Sequence, residues 1–313
     1  MARVLVTGAG GQIGSYVIDL LIEGGHEPLA IGPFSARIPA LGEDLDAANA
    51  ASLLERAGPL DAVIHLAALS SVAESWKRKA LTFQQNVVVT AALLEAVHAQ
   101  MPKAHFVHAS SAEIFGLSDS ATQNEATPIA PVSPYGISKA AAHTLVRIAR
   151  ESEGLLASNI IFYLGESERR PPHFVFRKIT RGLAKVALGM EQKLVLGNID
   201  VVRDFSHARD LARAAIHVAL SAKPSDYCAA SGEGHSLREI VAEASRILGI
   251  DHEKVVEIDR SLFRPTDIPS LIGDARKLAS AGFSPEVGFA ELVGRLVAFD
   301  LAELRKEKEN PTS

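Results

Sequence analysis

The chain has 313 residues, 47% hydrophobic and 22% charged, an ordinary globular balance with length enough for a sizeable core. Its 32 basic and 37 acidic residues give a net charge of −5, which argues against nucleic acid or an anionic membrane as the main partner. A single cysteine, Cys228, excludes a disulfide framework and a cysteine metal cluster, so no metal site is expected and Cys228 reads as a small buried apolar residue.

Residues 4–7 read as a buried strand that runs straight into a glycine-rich turn. A strand this early leaves no room for an export leader, and no apolar run approaches a membrane span, so a cytoplasmic location is expected. Ile13, Val17, Leu20 and Leu21 then recur at helical spacing, and Glu23-Gly24-Gly25 ends that helix. Further strands are predicted at 28–31, 62–66, 106–109 and 160–163. Helices are predicted at 86–100 and from Ser133-Pro134 to about Glu153. Strand and helix alternate, which predicts an α/β fold with a doubly wound parallel sheet of Rossmann type. Residues 1–164 form the expected dinucleotide-binding domain. Residues 165–304, with a capping box from Ser236 to Glu239, form a smaller, mainly substrate-binding domain partly interleaved with the first. The charged stretch 305–313 is expected to be a frayed tail.

Gly8, Gly11, Gln12, Ile13 and Gly14 occupy the turn between the first strand and helix. Glycines there let the backbone approach a pyrophosphate whose charge sits on the helix N-terminus. An acid ending the second strand would hold the adenosine ribose and favour NAD. The chain instead reads Ile31-Gly32-Pro33-Phe34-Ser35-Ala36-Arg37. Arg37 can meet a 2′-phosphate, so NADP is favoured, with NAD the alternative. Asp44 and Leu45 are placed beside the adenine, and Leu66, Ala67 and Ala68 where the cofactor lies close.

Tyr135 and Lys139 stand four apart at a helix start, which puts them on one face about 6 Å apart. The ammonium is expected to lower the phenol pKa and bring it within reach of acid–base work. Ser111 and Glu113 follow the fourth strand, and strand alternation would point both into one crevice.

Cradle, serine and Tyr/Lys in this order resemble the extended short-chain dehydrogenase/reductases that act on nucleotide sugars. The likeness spans essentially the whole chain. It is closest to the GDP-mannose 4,6-dehydratases and next to the GDP-4-keto-6-deoxymannose reductases. Residues 11–16, 166–170 and 174–180 resemble the dehydratases. Residues 196–200 and 203–205 fit both groups, and 264–269 lean towards the reductases. Ile13 stands where the family usually has Asp, Leu164 where it has Asn, and Phe115 where Tyr is common. The resemblance implies catalytic roles for Ser111, Glu113, Tyr135 and Lys139, with Glu113 moving the C5 proton, and places Asn86 near the cofactor. It implies a nucleotide-diphosphate clamp at Lys178, Arg203 and Arg264, and substrate binding also by Val175 and Asp267. The implied activity is GDP-mannose 4,6-dehydration through internal hydride transfer, the reductase being the alternative. A homodimer or dimer of dimers is implied, with helices 86–100 and 135–151 pairing across a two-fold axis.

Overall fold

The computed structural model describes residues 1–32, 41, 44–263 and 268–309. Strand β1 (Arg3–Thr7) buries Val4, Leu5 and Val6 completely because parallel strands flank it on both sides. These are β2 (Glu27–Ile31) and β3 (Ala62–His65), and beyond β3 lie β4 (His105–Ser111) and β5 (Ala157–Phe162). The chain leaves β1 to opposite sides on its way to β2 and β3. A crevice therefore opens at the C-terminal ends of β1 and β3.

Helix α1 (Gln12–Glu23) covers one face of this sheet through Val17, Ile18 and Leu21. The other face carries α2 (Ala50–Ala57), α5 (Val89–Gln100) and α6 (Pro134–Ser152). Between β3 and α5 the chain forms α3 (Val72–Lys77) and α4 (Lys79–Phe83), then a π turn over Gln84–Val88. The helical run thus starts at Lys79, seven residues before the expected Asn86. An 18-residue window within Lys79–Gln100 reaches a mean hydropathy of 1.3, so by length and composition the helix would pass for a membrane span. Its inner face is core: Leu93 and Val97 are fully buried against the sheet. Ser133 caps α6, accepting from the Gly136 N–H at 3.0 Å, with Pro134 in the first turn.

The second half forms a separate layer. Strand β6 (Leu164–Glu166) leads to α7 (Val175–Ala187), β7 (Leu194–Leu196) and β8 (Val202–His207). Helix α8 (Ala208–Leu220) then returns to pack beside α1, and β9 (Asp226–Ala229) adds a sixth parallel strand beside β5. After β10 (Gly234–Ser236), the expected capping box opens α9 (Leu237–Leu248). Helix α10 (His252–Val255), β11 (Val256–Ile258), β12 (Ser270–Leu271), α11 (Arg276–Ser280) and α12 (Phe289–Glu309) complete it. Strand β8 is the hub of a small sheet, with β6 and β12 parallel to it and β10 antiparallel. Cys228 is buried and free.

Helix α12 continues to Glu309, where the charge run at 305 had suggested fraying. Leu304 is fully buried, and Arg181 holds Glu307 at 2.6 Å, so the charges lie on the outer face of an anchored helix. The anchor is a buried ion pair. Arg177 of α7 donates to Asp300 of α12 at 2.6 and 3.2 Å, and the Thr180 hydroxyl donates to the same carboxylate at 2.7 Å. Removing one member strands a charge in the core. Asp300→Ala is therefore expected to lose about 3–5 kcal/mol in chemical denaturation. The apolar double variant Arg177→Met/Asp300→Leu should lose clearly less. Equal losses would show that the pair, not the stranded charge, sets the cost.

Candidate active site

The crevice is a cleft of about 710 Å³ between the main sheet and the second layer. Gly8 leaves β1 at φ +70°, a left-handed conformation that favours glycine, and a Cβ there would lie 2.7 Å from the Ala67 nitrogen. A Cβ on Gly14 would lie 2.2 Å from the Gly8 oxygen. Thr7 fastens the same junction, its Oγ1 accepting from the Ala67 N–H at 3.2 Å. Helix α1 has no acidic residue in its first turn and no side-chain cap at Gly11. Its leading N–H groups suit an anion, so the turn fits the pyrophosphate of a dinucleotide. Gly8, Gly11, Gln12, Ile13 and Gly14 line the cleft, as do Leu66, Ala67 and Ala68.

Ser111, Glu113, Tyr135 and Lys139 are brought together in that cleft. The alternation argument for Ser111 and Glu113 does not hold. Strand β4 ends at Ser111 and residues 112–114 form a 3₁₀ turn, in which the Ser111 Oγ accepts from the Glu113 N–H at 3.3 Å. The turn, and not the pleat, carries Glu113 into the cleft. Gly136, which the sequence reading passed over, sets the approach of α6: a Cβ there would lie 2.7 Å from the Glu113 carbonyl oxygen. The Ser75 hydroxyl accepts from the Tyr135 N–H at 3.1 Å and holds the helix start from the other side.

The expected lowering of the Tyr135 phenol by Lys139 is not found. Lys139 is buried and its Nζ donates to the Ala109 carbonyl at 2.7 Å. Burial pushes the Tyr135 phenol up to about 12; the Ser111 hydrogen bond and the Arg170 charge pull it down, while Glu113 pushes it up. Burial also lowers Lys139 to about 8. Desolvation decides the order because both groups sit inside the helix–sheet interface.

The second layer supplies the opposite wall, including Val175, Lys178 and Arg203. Arg170 and Glu166 also line it, and neither was singled out from sequence. Their signal was an acid and an arginine pair directly after a strand end. Arg170 donates to the Gln12 Oε1 at 3.1 Å and lies 3.5 Å over the Phe174 ring. Asn86 does not line the cleft. Its Oδ1 accepts from the Leu69 N–H at 2.8 Å, and its Nδ2 donates to the Leu69 carbonyl and the Ser138 hydroxyl. It thereby ties the loop after β3 to α6. Asp44 and Leu45 also stand outside the lining, Leu45 packing on the α2–α5 side of the core. Arg37, Arg264 and Asp267 lie outside the described residues.

A family model for GDP-mannose 4,6 dehydratase matches residues 5–296. GDP-mannose 4,6 dehydratase 1 of Arabidopsis thaliana is 37% identical, across 97% of this chain and 91% of that protein. Among solved structures, UDP-glucose 4-epimerase of Thermus thermophilus in complex with NAD is 28% identical, with a TM-score of 0.83, covering 95% of this chain and 98% of that one. RMD from Pseudomonas aeruginosa complexed with NADPH is 25% identical, with a TM-score of 0.82, covering 96% and 100%.

The contact at Gly136 makes a prediction with a reversed sign. In an ordinary helix, Gly→Ala stabilises by up to about 1 kcal/mol. Here Gly136→Ala should instead destabilise by roughly 1–3 kcal/mol, since backbone must move to admit the methyl. Thermal or urea unfolding checks it; a stabilised variant would show that helix and turn are not in close contact.

Proposed function

The chain belongs to the GDP-mannose 4,6-dehydratase family, and on that premise we propose that it removes water from GDP-mannose to give GDP-4-keto-6-deoxymannose. The observation that carries the reading is Glu113, a carboxylate beside Ser111, Tyr135 and Lys139 in one cleft. A simple ketone reductase has no obligatory use for that acid.

The cradle at Gly8–Gly14, the Leu66-Ala67-Ala68 segment, Arg170 and Lys139 would hold a nicotinamide dinucleotide. When bound, it supplies a reversible hydrogen acceptor that takes up hydrogen from sugar C4 and gives it back at C6. The protein's share is proton handling. Tyr135, with Ser111 on the same oxygen, takes the O4 proton as the ketone forms. Burial favours the protonated phenol, so the Ser111 hydrogen bond and the Arg170 charge, which pull the phenol down, are needed to draw that proton off. The ketone acidifies C5, and Glu113 removes the C5 proton. It passes this proton to the departing C6 hydroxyl, which leaves as water. Tyr135 returns its proton to C5, and both side chains end as they began. Lys178 and Arg203, with Arg264, are assigned to the nucleotide diphosphate, and Val175 and Asp267 to the rest of the substrate; guanidinium forks suit phosphate oxygens.

We assign NADP as the preferred dinucleotide, on the absence of an acid after β2 and the presence of Arg37. Titration should show tighter binding of NADP than NAD, and Arg37→Ala should level the two. A preference for NAD in the native protein would refute this.

The active assembly is assigned as a homodimer. Phe83, Val88, Ile137 and Ile148 are exposed on the adjacent helices α4–α5 and α6, and Ile137 and Ile148 share one face at three-turn spacing. Two-fold pairing would cover them. Light scattering at micromolar concentration should give a dimer or a multiple of it, and Val88→Glu/Ile148→Glu should give a monomer. A monomeric native protein would contradict the assignment.

The catalytic assignment is tested with GDP-mannose and no added reductant. The native protein should form the 4-keto-6-deoxy product, and Glu113→Gln should slow it by roughly 10²- to 10⁴-fold while leaving dinucleotide binding intact. If the native protein leaves GDP-mannose untouched but reduces a 4-keto-6-deoxy sugar nucleotide with NADPH, and the variant does so equally well, the reductase reading replaces this one.

A further inference from the structure

Glu166 ends β6 with 1% of its surface exposed, yet it lines the cleft together with Gly11, Ile13, Tyr135 and Arg170. Among the described residues its Oε2 has no hydrogen-bond partner, and neither has the Arg170 Nε, which lies 3.8 Å away. The other cations near Glu166 are engaged elsewhere. Arg177 of α7 is held by Asp300, and His207, its register partner on β8, lies 3.4 Å from Glu168. On the α1 side stand Gln12 and Tyr16, of which Gln12 takes the Arg170 Nη1 and Tyr16 donates to Glu168. Across the cleft stands the neutral phenol of Tyr135. A buried acid and a buried donor thus face each other at ion-pair distance, 3.8 Å, without a hydrogen bond, next to the pyrophosphate cradle. Polar groups so buried ordinarily find partners.

We propose that Glu166 is a dinucleotide-binding residue that acts as a neutral acid, donating its proton, beside the Arg170 Nε, to an oxygen acceptor of the cofactor. The inference rests on the dinucleotide reading of the cleft. An ionised carboxylate would repel an anion seated in the cradle, whereas a protonated one becomes a second donor to it. The acceptor is either a pyrophosphate oxygen or the carboxamide oxygen of the nicotinamide. Burial pushes Glu166 up to about 7 in the free protein against the pull of Arg170 and Arg177, so its proton is on hand at neutral pH. The sign follows. Binding holds the proton and raises this value further. Affinity is then flat below about pH 7 and falls above it, by up to about tenfold per pH unit, and binding at alkaline pH takes up a proton.

The test is calorimetric titration of the full-length protein with NADP in buffers of different ionisation enthalpy. The difference between native protein and Glu166→Gln cancels the ligand's own titration. The native protein should take up roughly 0.9 more proton than the variant at about pH 8, and roughly 0.1 at about pH 6. Glu166→Gln, which keeps a donor in place, should bind with an affinity that does not fall between those two values. Glu166→Leu should bind at least about tenfold more weakly than the native protein even at the lower pH. The same uptake with the 2′-phosphorylated ADP-ribose fragment assigns the acceptor to the pyrophosphate. Uptake confined to the whole dinucleotide assigns it to the carboxamide. Equal proton exchange in native protein and Glu166→Gln, or native affinity in Glu166→Leu at low pH, overturns the inference. Failure of every dinucleotide to bind overturns the reading of the cleft on which it rests.

Discussion

The first turn of α6 lies against the end of β4 with no room for a side chain at Gly136, and the geometry of the cleft follows from that contact. It brings Tyr135 beside Ser111 and Glu113, two residues that belong to another element. The contact is held by polar bonds in an otherwise apolar layer. Ser75 accepts from the Tyr135 N–H, Lys139 donates to Ala109, and Ser110 bonds the His143 ring at 3.0 Å. Tyr135, Lys139 and His143 recur every four residues, so one stripe of α6 faces β4 along its length. At the far end Asp226 accepts from Arg150 at 2.9 Å and from Asn159 at 2.9 Å, which closes the stripe on β5 and β9. Buried polar groups are costly when unpaired, so this stripe has few alternative registers and fixes the helix in rotation as well as in distance.

The opposite wall is secured differently. Residues 166–170 are strapped across the start of α1. Gln12 donates to Ser167 at 2.9 Å, Arg169 reaches Asp19 at 2.6 Å, and Tyr16 donates to Glu168 at 3.1 Å. Behind the strap, the Arg177–Asp300 pair joins α7 to α12. A single arginine therefore links the strap to the C-terminal helix, because Arg177 also donates to the Glu168 and Arg170 carbonyls. The cradle lies on the first half of the chain and its cover on the second, and these bonds make them one cleft.

The features legible in the sequence were those set by local periodicity. The β1–turn–α1 unit, the Ser133 cap with Pro134, the capping box at Ser236 and the parallel sheet could all be read from spacing and turn chemistry. Charge and hydrogen bonding across layers could not. The Tyr135–Lys139 spacing correctly placed both residues on one face, but it gave no account of burial, and desolvation reverses the expected shift of Tyr135. Asn86, expected near the cofactor, braces the loop after β3 against α6, the π turn setting its amide on Leu69 and Ser138. Glu166 and Arg170 lay within a recognised segment, yet only the fold shows that they reach the cleft. The length of α12 was hidden by charges that turn out to coat one face of an anchored helix.

The central claim is that one cleft oxidises the sugar at C4, removes water and returns the same hydrogen at C6. The most direct measurement follows GDP-mannose deuterated at C4, incubated with the protein without added reductant, by mass and by the position of the label. The account requires a product one water lighter that carries the deuterium on C6. Unchanged substrate, or a dehydrated product without label at C6, would contradict it.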